Sequence, residues 1–172
     1  MGRVKDGRGT LLGNAGEHYV AAELLRRDII TALAPRNAPG IDLLATSGPR
    51  SVNIRVKTMS HEAGDWVWMA RRDGRIFPNL QEELDFVVLV GIARDEPPAY
   101  WILPTPVLDA ELRRHHTAWL GTPGRGGRAH KDTPMRRIGH TTHDKDWLIP
   151  YRDRWDLVRD ALGAARHSRP PN

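Results

Sequence analysis

The sequence has no cysteine, which excludes a disulfide framework and any thiolate zinc site. It has no apolar run long enough to span a bilayer and no secretory apolar segment near Met1. The expectation is therefore a soluble, cytoplasmic protein with no membrane partner. Internal repeats are absent as well. Lysine is scarce: of 26 basic residues only four are lysines, Lys5, Lys57, Lys131 and Lys145, and the others are arginines. A chain that meets most of its need for positive charge with arginine makes each lysine worth locating.

What remains is a 172-residue chain, enough for one domain with a genuine core. We read it as a single domain over 1–172, with a loose basic arm at 1–9, a core at 10–105, and helices, a basic loop and a tail at 106–172. The net charge of +5 and sequence pI of about 10.1 favour a polyanionic partner, nucleic acid first. A solvated basic surface would give the same balance.

Apolar spacing predicts a helix from Leu12 to about Asp28, with Ala15, Val20, Ala21, Leu24 and Leu25 on one face. Strands are predicted at 29–34, Ile41 to Ala45 and Ser51 to Thr58, the last two joined as a hairpin through Ser47-Gly48-Pro49. Trp66 to Ala70 reads as a fourth strand, Phe86 to Ile92 as a buried one, and Tyr100 to Leu103 as another. Pro106 to Leu120 looks helical, 121–146 reads as a long loop, and Trp147 to Ala165 has patchy helical spacing before a disordered tail. This order indicates an α/β (α+β) domain with a mixed β-sheet flanked by helices.

Three residues in this framework carry chemistry. Glu17 shares the helix side of Val20, Ala21 and Leu24, so its carboxylate faces the sheet, where it needs a partner or a metal. The bland alternative is an acid favoured by the helix dipole in the first turn. Asp42 follows a Pro39-Gly40 turn and alternates with apolar Leu44; aspartates are also common in such turns. In Val52-Asn53-Ile54-Arg55-Val56-Lys57 the β-branched residues form one face, and the other carries Arg55 and Lys57. Phosphodiester hydrolysis needs a nucleophilic water and relief of charge at phosphorus. Mg²⁺ or Mn²⁺ held by one or two carboxylates supplies both, and a lysine steadies the transition state. Glu17, Asp42 and the Val56 carbonyl would be the metal ligands, with Lys57 beside them.

Gly13-Asn14-Ala15-Gly16-Glu17, then Gly40-Ile41-Asp42, then Ile54-Arg55-Val56-Lys57-Thr58 together resemble the PD-(D/E)XK, or restriction-endonuclease-like, nuclease superfamily. The likeness extends loosely through Trp66-Val67-Trp68, Asp85-Phe86-Val87-Val88 and Tyr100-Trp101-Ile102-Leu103-Pro104, and to His130-Lys131-Asp132-Thr133-Pro134-Met135-Arg136, as in small bacterial members. The resemblance implies an α-β-β-β-α-β core and Mg²⁺-dependent cleavage of nucleic acid, DNA more often than RNA. It makes Glu17 the helix acid, Asp42 the motif aspartate and Lys57 the motif lysine. A homodimer would suit cleavage of both strands.

The chain departs from the pattern at Arg55, where the superfamily has Glu, Asp or Gln. A fixed cation cannot bind Mg²⁺. Three arrangements follow. Another acid, Glu62 or Asp65, moves in; or Glu17 and Asp42 hold the metal while Arg55 contacts the scissile phosphate; or Arg55 pairs with Asp42 or Glu17 and leaves a degenerate, nucleic-acid-binding or partner-docking module.

Arg36, Arg125, Arg128, Lys131, Arg136 and Arg137 are the candidates for gripping a phosphate backbone. His115, His116, His130, His140 and His143 lack metal-site spacing and read as surface histidines. Trp66 and Trp68 share a strand face and are assigned to packing, as are Trp101, Trp119, Trp147 and Trp155.

Overall fold

The computed structural model describes residues 8–35, 38–60, 64–77, 84–139 and 146–163. Helix α1 spans Arg8–Leu25, followed by β1 (Ile30–Leu33), β2 (Leu43–Ser47), β3 (Arg50–Ser60), β4 (Asp65–Met69), β5 (Asp85–Ile92) and β6 (Ala99–Pro104). Helix α2 (Thr105–Gly121), β7 (Met135–Gly139) and α3 (Trp155–Ala161) complete the described elements, with short 3₁₀ turns at Arg125–Gly127 and Asp146–Tyr151.

Five strands form a mixed sheet in the order β1-β2-β3-β5-β6. The β1-β2-β3 meander is antiparallel, β3 and β5 run parallel, and β5 and β6 are antiparallel. This is the mixed sheet flanked by helices that the sequence indicated. Alternation along the strands divides the core. Val52, Ile54, Phe86, Val88, Val90, Tyr100 and Ile102 pack with α1 and α3, through Val20, Leu24, Trp155 and Val158. Val87, Leu89, Trp101 and Leu103 face the other way, onto α2 and a β4-β7 ribbon, through Leu108, Leu112, Trp66 and Ile138. With both faces of β5 covered, its near-continuous apolar run is explained.

One expectation fails here. The 121–146 stretch is not all loop, because Met135–Gly139 pairs antiparallel with β4 in a separate two-stranded sheet. Its alternation is carried by one buried side chain, Ile138, which lies opposite Trp66. Met135-Arg136-Arg137 gives no apolar period to read. The patchy region after Trp147 resolves into a 3₁₀ turn and the short α3. Of the expected arm, residues 1–7 lie outside the described residues, and α1 already begins at Arg8.

Candidate active site

The site is built where α1, the entry to β2 and the middle of β3 meet. Gly16 lets α1 approach β3 closely: a methyl at this position would overlap the Thr58 side chain. That contact seats α1 on β3 beside Thr58, and Glu17, the next residue of the helix, is half-buried. The stripe that sequence spacing predicts is present in part: Val20 and Leu24 are fully buried and Ala21 packs against the core, but Leu25, expected on the same face, is exposed because it closes the helix one residue past the buried Leu24.

Asp42 lies just before β2. Its N–H donates to the Ile54 carbonyl at 2.9 Å, and its carboxylate Oδ2 accepts the Val56 N–H at 2.7 Å. The aspartate is thus tied across β3 at the two residues flanking Arg55. Burial pushes its pKa above 3.8, an effect opposed by the Val56 hydrogen bond and by the fields of Arg55 and Lys57. Burial also lowers the Lys57 ammonium below its ordinary 10.5, with Asp42 opposing. Lys57 Nζ stands 5.7 Å from the Trp68 ring centre, a cation–π contact. Asp42 and Lys57 therefore share a partly desolvated space without an ion pair between them.

Arg55 is on the Lys57 face, as alternation predicts, but its partner is neither Asp42 nor Glu17. Its Nη1 donates to Asp85 Oδ1 at 3.3 Å, with the Arg55 side chain 14% and the Asp85 side chain 1% exposed. Its guanidinium also lies 5.6 Å from the Phe77 ring centre and runs beneath Gly40. Gly40 has φ +74°, a conformation that favours glycine, and a methyl there would crowd Arg55 Nη2 at 3.1 Å. Asp85 enters this arrangement through the parallel β3-β5 register, in which it lies opposite Asn53. The sequence places Asp85 at the head of the Asp85-Phe86-Val87-Val88 strand segment but gives it no partner. It is one acid ahead of an apolar run, and only the long-range pairing of β3 with β5 reveals its role.

The other expected residues are dispersed. Arg36, Glu62, His140 and His143 lie outside the described residues. Asp65 is engaged on the β4-β7 ribbon, where Arg137 approaches it at 3.8 Å. Arg136 is opposite Trp68 in the ribbon, on the ribbon face that meets Lys57. Arg125, Arg128 and Lys131 are exposed on the loop after α2 and form a separate group. Trp66 packs edge-on against Trp101, with centroids 5.2 Å apart, and its indole N–H donates to the Val90 carbonyl. Trp119 departs from the packing role expected for it and is exposed. Among the described residues no group of three His, Cys, Asp or Glu side chains converges as a metal cage. No described helix is long and apolar enough to cross a membrane.

No family model matches the chain, and no curated protein matches it. Among solved structures it is similar to a bacterial homing endonuclease, I-Ssp6803I, with TM-score 0.55 and 16% identity over 90% of this chain and 96% of that one. The two chains share a fold, in agreement with the restriction-endonuclease-like core expected from the sequence. A Holliday junction resolvase, Hjc of Archaeoglobus fulgidus, aligns with TM-score 0.44 and 10% identity over 84% of this chain and 98% of that one. At these identities the likeness speaks of the fold alone.

Proposed function

We propose that the chain is a divalent-metal-dependent nuclease acting on DNA. The observation that carries this reading is the state of Asp42: a partly buried carboxylate that holds one backbone N–H and forms no ion pair with either neighbouring cation. Among the described residues its Oδ1 has no partner. A desolvated carboxylate oxygen in that condition suits a hard cation. The lack of a three-acid cage does not count against Mg²⁺ or Mn²⁺, since Mg²⁺ keeps several waters and takes one or two carboxylates with substrate phosphate. Asp42 and Glu17 would hold it, with the Val56 carbonyl as a further oxygen. When bound, the ion polarises the phosphate and supplies an activated water.

The chain's own groups do the rest. A water attacks phosphorus, the phosphorus–oxygen bond to the leaving sugar oxygen breaks, and that oxygen takes up a proton. Lys57 orients the water and offsets charge on the pentavalent phosphorus. Arg55, fixed by Asp85 and by the Gly40 turn, presents a rigid guanidinium to the non-bridging phosphate oxygens. The homing endonuclease of similar fold makes a nuclease the reading to test, and the net charge of +5 favours a nucleic acid as the substrate.

A second reading is favoured by Arg55 itself, a permanent cation where an oxygen ligand is usual. On that reading the chain binds nucleic acid without cutting it. One assay separates the two. Plasmid DNA incubated with the chain and Mg²⁺ or Mn²⁺ is expected to be nicked, with loss of nicking in EDTA, in Asp42→Ala and in Lys57→Ala. Salt-sensitive binding with no cleavage in either metal would establish the second reading. Full cleavage by both variants would remove this site from consideration.

A further inference from the structure

Away from Asp42, the C-terminal end of α2 carries an aromatic cluster. Of the six tryptophans in the sequence, only Trp119 is in the exposed class, with 40% of its surface open. It is not a stray surface residue, because it is built into a column of rings. His130 stacks on it with centroids 4.1 Å apart and planes inclined by 22°. His116, one helical turn earlier, stacks at 5.5 Å and 28°.

The loop after α2 is folded to make this column. His116 Nε2 pairs with Asp132 Oδ1 at 2.8 Å, which fastens the far end of the loop to the helix. Gly124 passes against His130, where a methyl would lie 3.0 Å from the imidazole Cε1. The Gly124 N–H donates to the Arg128 carbonyl at 2.8 Å, and the Thr122 hydroxyl donates to the Ala118 carbonyl at 2.8 Å. Exposed Arg125, Arg128 and Lys131 lie on this same loop, and none of them forms an ion pair among the described residues.

Near-parallel rings at a surface, beside uncommitted cations, match the chemistry of single-stranded nucleic acid. Every base has a π-face, so stacking on aromatics is tolerant of sequence, and the cations take the phosphates between bases. A duplex keeps its bases stacked on one another, so it offers its backbone and groove edges but no free base face. We propose that the Trp119–His130 column binds unpaired bases of single-stranded nucleic acid, with Arg125, Arg128 and Lys131 on the adjoining phosphates. The proposal rests on the reading that this chain handles nucleic acid. It adds a second contact site that selects single-stranded segments.

The test uses the full chain carrying Asp42→Asn, so that probes stay intact, and measures binding by fluorescence anisotropy at fixed salt. The probes are an oligothymidylate of about 15 nucleotides, an abasic phosphodiester strand of the same length, and a duplex of that length. Trp119→Ala is expected to weaken oligothymidylate binding about tenfold and to change the abasic strand and the duplex by less than about twofold. Oligothymidylate should also quench tryptophan emission, and less so in Trp119→Ala. His130→Ala leaves α2 intact and is expected to give the same pattern, so a fold defect in the tryptophan variant does not block the test. Equal weakening of the base-bearing and abasic strands, no effect of either variant, or no binding of oligothymidylate by the parent would each overturn the proposal. Metal-dependent plasmid nicking by the wild-type chain is read separately, so the stacking site and the nuclease reading fail independently.

Discussion

Two aspartates flank β3 and both lie in the field of one arginine. Asp85, on the β5 side, is 1% exposed and takes the Arg55 guanidinium directly. Asp42, on the β2 side, is partly buried, receives one backbone N–H, and forms an ion pair with neither Arg55 nor Lys57. A carboxylate moved out of water has to be compensated, and Asp85 is compensated by a full ion pair. Asp42 is compensated only in part. The difference lies within one small region: Asp85 takes the Arg55 guanidinium, and Asp42 keeps one carboxylate oxygen without a partner among the described residues. An arginine in place of an acid would shut this site only if the neighbouring aspartate neutralised it, and that neutralisation is done from another strand.

The comparison breaks first if Asp85 is not the structural member. Asp85→Asn leaves Arg55 uncompensated in a dry setting and is expected to cost about 3–5 kcal/mol. That is a large share of the roughly 5–15 kcal/mol of a typical domain. Urea unfolding at neutral pH checks it. The double variant Arg55→Met with Asp85→Leu removes both charges, and its stability should return to within about 1–2 kcal/mol of the parent. If the single change costs less than about 1 kcal/mol, the pair is not an anchor and the distinction from Asp42 fails. If the double variant is stable yet inactive, Arg55 has a role in catalysis beyond its ion pair.

The next test reverses the roles. Asp42→Asn keeps an oxygen to accept the Val56 N–H but removes the desolvated charge. Cleavage is expected to fall at least about 100-fold, while the thermal midpoint stays level or rises. A midpoint that drops as far as that of Asp85→Asn would make both aspartates structural and would count against a metal site. Loss of activity with a level or raised midpoint is the trade-off expected of a charged group kept desolvated for function.

How much of this was legible in the chain varies from residue to residue. The inward stripe of α1, the alternation that puts Arg55 and Lys57 on one face, and the Pro39-Gly40 turn before Asp42 are all local, and periodicity finds them. The role of Asp85 rests on the register of a parallel, non-adjacent strand, and β7 rests on one isoleucine beneath Trp66. Long-range pairing leaves no local trace in either case. From sequence alone Trp119 reads as a packing residue, because an isolated tryptophan usually packs. Its exposure depends on how the glycine-rich loop turns back to place His130. Gly16 belongs to the motif by likeness, and the structure supplies its reason: Gly16→Ala would collide with Thr58. It is expected to cost about 1–3 kcal/mol and to lower cleavage further by displacing Glu17. Unchanged stability would mean that α1 can shift away without loss.

The smallest effects are in the pH dependence of stability, where the signs are fixed by the two shifts. Asp42 is raised above 3.8 in the folded chain. Its contribution favours the fold at pH below 3.8 and is lost as pH rises through the folded value. Wild type should therefore lose stability relative to Asp42→Asn over that acidic window, then run parallel to it at higher pH. Lys57 is lowered below 10.5, so its favourable contribution is present above 10.5 and is lost as pH falls through its folded value. Wild type should lose stability relative to Lys57→Met as pH is lowered across that alkaline window and run parallel below it. Urea midpoints of the three proteins across both windows decide the matter. Curves that diverge in the opposite sense would mean that Asp42 and Lys57 satisfy one another as a closed ion pair, which would place Asp42 in the same class as Asp85.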